Sequence, residues 1–216
     1  MIKNENFCDL DMKLNNKFRC LTKQIFTNDN YLLVPIQEID IQNIRKWRND
    51  QLDVLRQENP ITKNEQIQYY NNVIKKSFSK KIPDVILFSF MLDNLCVGYG
   101  GLVHINWDSK IAEVSFIVDT IRSKNENIYE KDFSIFLKLI KMVSFEELNF
   151  KKIFTETYDI RKKHIEILEN SGFNLEYTGL KQKKIHNKLI DVLIHSCTSD
   201  SYSIHKNFQL HEKSKK

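Results

Sequence analysis

KKIFTETYDIRKKHIEILENSGF, Lys151 to Phe173, changes its periodicity once, at Asp159. Before that point Ile153, Thr155 and Thr157 alternate with Phe154, Glu156 and Tyr158. All but Glu156 are β-branched or aromatic, so the segment is predicted to be a strand. Asp159 is a helix N-cap residue type. After it Ile160, His164, Ile167 and Leu168 recur at helical spacing, and Gly172 stands where a left-handed cap ends a helix. A strand feeding a short helix that stops at Gly-Phe is half of a βαβ-type unit.

Working outward, AEVSFIVD (Ala112–Asp119) alternates Ala112, Val114, Phe116 and Val118 against Glu113, Ser115, Ile117 and Asp119. A long amphipathic helix follows, with Phe133, Phe136, Leu137, Ile140 and Val143 as its buried stripe, ending in FEELNF (Phe145–Phe150). Downstream, Glu176 to Ser196 forms two strands around a polar turn. Nearer the N-terminus YLLVPI (Tyr31–Ile36) is a strand and Ile41 to Asn49 a helix. Pro60 breaks the chain, and Thr62 with Glu65 makes a capping box for a helix carrying Ile67, Tyr70 and Ile74. DVILFSFML and LCVGYGGLVHI are strands joined at Asp93-Asn94, a pair suited to a hairpin turn. Gly98, Gly100 and Gly101 in the second strand point to a bulge or a close backbone approach, or to strong twist.

The 216 residues allow one domain with tails. We divide them into an N-terminal extension or packed arm (1–30), a domain (31–196) and a polar basic tail (197–216). A hydrophobic content of 41% with 14 Phe and 8 Tyr excludes a disordered chain. The net charge of +5 suits attraction to anions such as a nucleotide, but equally a solvated lysine-rich surface. There is no basic stripe with interleaved aromatics, so nucleic-acid binding is not expected. Cys8, Cys20, Cys96 and Cys197 form no CxxC pair, and no histidine has metal-ligand spacing, so no metal is expected. Scattered thiols, the lack of a signal-like apolar run and the lack of a membrane-length segment predict a soluble cytoplasmic protein.

Taken in order from about Tyr31 to Ser196, these elements resemble the GNAT superfamily of acetyl-CoA-dependent N-acetyltransferases. The similarity is greatest to the branch of ribosomal-protein N-terminal and amino-sugar-nucleotide acetyltransferases. The resemblance implies an α/β (α+β) fold: a mixed, mostly antiparallel central sheet with helices on both faces, splayed at its middle. It also implies acetyl transfer from acetyl-CoA to a small-molecule amine by direct attack, and it leaves room for a homodimer.

By the same resemblance Glu113 is the strand glutamate that acts as general base, directly or through water. The strand's free edge at Phe116, Ile117 and Val118 would pair with the amide arm of CoA. Arg122, Ser123, Lys124 and Asn125 would meet the pyrophosphate, with Arg161 at the start of the next helix. Trp47, Arg48, Asn49, Arg56, Tyr70 and Glu156 are acceptor-side candidates, although Trp47 and Tyr70 also read as core residues.

The chain departs from the family pattern in two places. The segment Asp119–Phe133 has no glycine, where most members carry a glycine-rich phosphate loop, and Glu126, Glu130 and Asp132 there would repel phosphate. Leu168 stands where many members have a thiolate-protonating Tyr, leaving Tyr158 as the candidate acid. Two rivals follow from these features: a GNAT-like module that has lost catalysis, and, from the net charge alone, a nucleic-acid or ribosome-associated factor.

Overall fold

The turn chemistry read above sets the strand pairing. Asp93 and Asn94 adopt φ of 48° and 66°, so β3 (Ile86–Leu92) folds back directly on β4 (Leu95–Asn106). This is seen in a computed structural model that describes residues 14–178, 182–185 and 188–204. The polar turn within Glu176–Ser196 and much of both termini lie outside the described residues.

The other strands are β1 (Phe26–Asn28), β2 (Tyr31–Pro35), β5 (Ile111–Val118), β6 (Lys152–Tyr158), β7 (Asn174–Tyr177), β8 (Gln182–Ile185) and β9 (Lys188–Thr198). The sheet order is β1-β2-β3-β4-β5-β6-β9-β7, with β8 pairing β9. Every described pairing is antiparallel except β5 with β6. A parallel pair needs a crossover. Here it is α5 (Glu126–Lys141), which runs on through a π-helical stretch, Met142–Glu147. The expected stripe is its buried face: Phe133, Phe136, Leu137, Ile140 and Val143 are all at most 1% exposed.

On the N-terminal side lie α1 (Ile41–Asp50), α2 (Lys63–Tyr69), a π turn (Tyr70–Ile74) and α3 (Lys75–Phe78). The Thr62–Glu65 capping box is present. Ile67 is not on the buried face, which passes instead through Gln66, Tyr70 and Ile74. Before residue 31, Phe18 and Leu21 enter the core, and Phe26–Asn28 extends the sheet as β1. Beyond residue 196, β9 continues to Thr198 and Tyr202 packs on Phe145.

Two features position the cleft. After β5 comes α4 (Thr120–Ser123), capped by Asp119. After β6 comes α6 (Lys162–Asn170), which ends as its sequence predicts: Gly172 has φ 81°, Gly172 N–H reaches Glu169 O and Phe173 N–H reaches Leu168 O. Asp159, however, is not its N-cap. The amides of Ile160 and Arg161 both bond Tyr158 O, making a tight turn that delays the helix and puts Arg161 at the cap position. Among the described residues no helix is long and apolar enough to cross a membrane.

Candidate active site

β5 and β6 pair through Ile111↔Lys152, Ala112↔Ile153 and Glu113↔Phe154, and then separate. From Val114 onward the β6-facing edge of β5 has no strand partner among the described residues, and a cleft opens between the strands. Glu113, Val114, Ser115 and Phe116 form one wall, and Thr155, Glu156, Thr157 and Tyr158 the other. His164 and Arg161 of α6 close its outer end. There it meets a second depression lined by Thr120, Ser123, Lys124, Tyr129 and Lys162.

Glu113 sits at the closed end with only 5% of its side chain exposed. One carboxylate oxygen accepts from Arg56, whose other nitrogen lies 3.6 Å from Glu156. The other lies 2.7 Å from His104 Nδ1. His104 was not among the site residues expected from the sequence. Its partner is nine residues away, and only the β4–β5 register brings the two together.

On the side of β5 that faces the helical segment 41–78, the lid, a third depression is lined by Arg48, Arg56, Gln57, Tyr69, Asp84, His104 and Ser115. Arg48 donates to Tyr99 Oη at 2.6 Å and to Gln57 at 2.9 Å, both neutral partners. The neighbouring Tyr99 oxygen raises the Arg48 pKa despite burial, so this cation stays charged. No carboxylate pairs with it among the described residues.

At the outer end Arg161 Nη2 donates to Tyr129 Oη at 2.7 Å, and Tyr129 Oη lies 2.7 Å from His164 Nδ1. Because that phenol oxygen accepts from Arg161, its own proton goes to His164 Nδ1. Burial first, then the Arg161 charge and His195, pushes the His164 pKa well below the ordinary histidine value, so the ring is neutral. It stacks on Phe133 at 4.2 Å. Tyr129 and His164 were missed as site residues, though Tyr129 stands one turn before Phe133 on the apolar stripe.

Several expected site residues lie elsewhere. Trp47 is 5% exposed and spends its indole N–H on Asp119, while Tyr70 is 1% exposed and bonds Asn16; both belong to the core. Asn49 ties down the lid loop through Ile61 and Gln57. Phe116 lines the cleft, but Ile117 and Val118 are buried, and Val118 O accepts from Gln51.

Arg122 is not a free cation: it makes two bonds, 2.7 and 2.8 Å, to the fully buried Asp132. A buried carboxylate needs such a partner. Ser123 Oγ bonds Thr120 O, and Asn125 caps α5 at Ile128 N. Asp119 Oδ1 takes the amides of Ile121 and Arg122, so this glycine-free segment satisfies its own donors as a capped turn of helix. Lys124 remains, and Lys162, which sequence reasoning missed, lies across the depression from it. Neither pairs with a carboxylate among the described residues, whereas Lys163 holds Glu130 and Glu166. No cluster of three metal-ligating side chains occurs among the described residues.

A family model described as an acetyltransferase (GNAT) domain matches residues 33–194. No match was found among curated proteins. Among solved structures, the chain is similar to a spermidine N-acetyltransferase from Vibrio cholerae in complex with CoA and spermine. The TM-score is 0.69 at 19% identity, covering 81% of this chain and 99% of that one. A dodecameric structure of the Vibrio cholerae enzyme gives 0.66 at 20% identity, covering 81% and 97%. A GCN5-related N-acetyltransferase from Brucella melitensis gives 0.62 at 13% identity, covering 87% and 84%. At these identities the structures speak for the fold alone.

Proposed function

The chain belongs to the GNAT acetyltransferase family, and from that premise we propose that it acetylates an amine carrying a negatively charged group, of the amino-sugar-nucleotide kind. The observation that carries this is Arg48: a charged guanidinium at the acceptor cavity whose hydrogen-bond partners among the described residues are a phenol and an amide. A guanidinium in such surroundings is suited to bind phosphate or carboxylate. Arg56, already shared with Glu113 and Glu156, and His104 line the same cavity, as does Asp84. A polyamine would meet this lining unfavourably, so the acceptor chemistry of the spermidine enzymes is not carried over.

Acetyl-CoA fits the splayed cleft as co-substrate. The free edge of β5 around Phe116 would take the amide arm, and Thr155 Oγ1, buried in the cleft wall, has no hydrogen-bond partner among the described residues. Lys124, Lys162 and Arg161, in a lining that also holds Asp50, Asp53 and Glu126, supply positive charge where the phosphates would lie, in place of a glycine-rich nest. At the closed end Glu113, together with the groups bonded to it, serves the loss of the proton from the attacking amine. Glu156 holds Arg56, and Tyr158, on the cleft wall, is the candidate proton donor to the departing sulfur. The scattered cysteines suit a cytoplasmic setting.

Thiol release from acetyl-CoA tests the reading, with UDP-glucosamine, glucosamine 6-phosphate and spermidine as acceptors. A phosphorylated amine should be preferred, and Arg48→Met should raise its KM by about tenfold, the equivalent of one lost charged contact of about 1.4 kcal/mol. Preference for spermidine would refute the acceptor class. Glu113→Gln should depress kcat while acetyl-CoA binding by calorimetry stays unchanged.

A further inference from the structure

β4 and β5 pair regularly as far as Val103↔Glu113 and resume at Asn106↔Ile111. Between those pairs β4 carries His104 and Ile105 opposite Ala112 alone, which makes a β-bulge. In an unbroken pleat His104 would face away from Val103 and Glu113. It instead takes φ 47°, a left-handed conformation that histidine tolerates better than most residues but still adopts at a cost. That conformation turns the ring back to Glu113, with Nδ1 2.7 Å from the carboxylate. Bulges beside active sites commonly re-aim a side chain in this way.

The carboxylate also accepts from Arg56, and a carboxylate between two donors accepts from both. The proton of neutral His104 therefore lies on Nδ1, and Nε2 carries a lone pair. Glu113 is 5% exposed, whereas the His104 side chain is 66% exposed and lines the acceptor cavity. An incoming amine meets the imidazole first.

We propose that His104 Nε2 takes the proton from the acceptor ammonium, while Glu113 fixes the tautomer and balances the imidazolium. This rests on the acetyl-transfer reading given above. In the step one N–H proton passes to Nε2, and the freed amine lone pair forms the N–C bond as the C–S bond breaks. Tyr158 protonates the departing thiolate, the second proton lost by nitrogen replaces the one Tyr158 gave up, and His104 returns its own proton to solvent.

Two variants keep the bulge geometry accessible: His104→Asn, because asparagine tolerates positive φ, and His104→Gly, which leaves space for added imidazole. With the preferred phosphorylated amine, His104→Asn should lower kcat about 100-fold with unchanged calorimetric affinity for acetyl-CoA. Free imidazole should restore His104→Gly by about tenfold or more. Nitrogen-15 NMR of histidine-labelled protein, above the histidine titration range, should show the Nδ1–H tautomer at His104 in the wild type and its loss in Glu113→Gln. An active wild type with an equally active His104→Asn, no imidazole rescue, or an Nε2–H tautomer would each overturn the role of His104. A wild type inactive with every amine tried, spermidine included, would overturn the acetyl-transfer reading, and this assignment with it.

Discussion

Replacing Arg122 with Met separates a fold-holding cation from a ligand-holding one. Asp132 is fully buried and accepts two bonds from Arg122 and one, at 2.8 Å, from Tyr31 Oη. The Arg122 side chain is 24% exposed, so water screens the pair only in part. Two unit charges at about 4 Å in an effective dielectric near 20 attract by about 4 kcal/mol. Removing one partner of a buried pair typically costs about 3–5 kcal/mol, because the other is left uncompensated. Retention of the Tyr31 bond and the partial exposure of Arg122 place the expected loss near the lower end, about 3 kcal/mol. For a domain of this size that lowers Tm by roughly 6–12 °C. Urea unfolding followed by circular dichroism gives the stability, and acetyl-CoA titration of the folded variant gives the affinity. The affinity should change by less than about threefold, because the guanidinium is already committed to Asp132. A compensated variant, Arg122→Met with Asp132→Leu, should recover over half the lost stability, since no charge is then left buried. Undiminished stability together with a tenfold or greater loss of affinity would refute this reasoning and return Arg122 to the phosphate site.

Other outcomes follow from the same geometry. Lys124→Glu and Lys162→Glu should each weaken acetyl-CoA binding about fivefold, less at high salt, because both cations are exposed to screening; calorimetry at two ionic strengths checks this. Gly100→Ala should destabilise by about 2–3 kcal/mol, because its Cβ would lie 2.3 Å from Ser115 O and 2.6 Å from the Phe136 ring; a urea midpoint equal to wild type would contradict it. The pKa of buried His164 is lowered by burial, so at acid pH the unfolded chain binds more protons there than the native one. That contribution to stability is present above about pH 6.5 and is lost as pH falls through the lower native value. His164→Gln should flatten the acid limb of urea midpoint against pH by at most about 1.4 kcal/mol per pH unit. The Tyr31 pKa is pushed up to about 12, by burial first and the Asp132 hydrogen bond next. Its contribution is full below its ordinary value near 10 and falls as pH rises toward 12, so the urea midpoint should fall more steeply over that range for wild type than for Tyr31→Phe.

Much of the fold was legible in the chain because local chemistry encodes it. Alternation in Lys152–Tyr158, the apolar stripe of Phe133 to Val143, the Thr62–Glu65 box, the Asp93-Asn94 turn and the Gly172 cap each involve residues within a turn or two of one another. Their order along the sequence was enough to suggest the family, the splayed sheet and Glu113. Local rules failed where a nearby alternative hydrogen bond won. Asp159 lost the helix cap to a turn on Tyr158 O, and the glycine-free segment after β5 closed on Asp119.

The partners of charged side chains were decided only in three dimensions. Arg122 looks like a phosphate ligand in sequence and is consumed by the buried Asp132, ten residues on in α5. Among the described residues Arg48 bonds a phenol and an amide and no carboxylate, because the lid packs it on Tyr99, 51 residues away. His104 reaches Glu113 through a bulge that no pattern in the sequence marks. Periodicity reports which face of an element is apolar, and that is a property of neighbours in the chain. Which cation is free and which histidine carries its proton depend on groups brought together by strand register and burial, and only the folded chain supplies those.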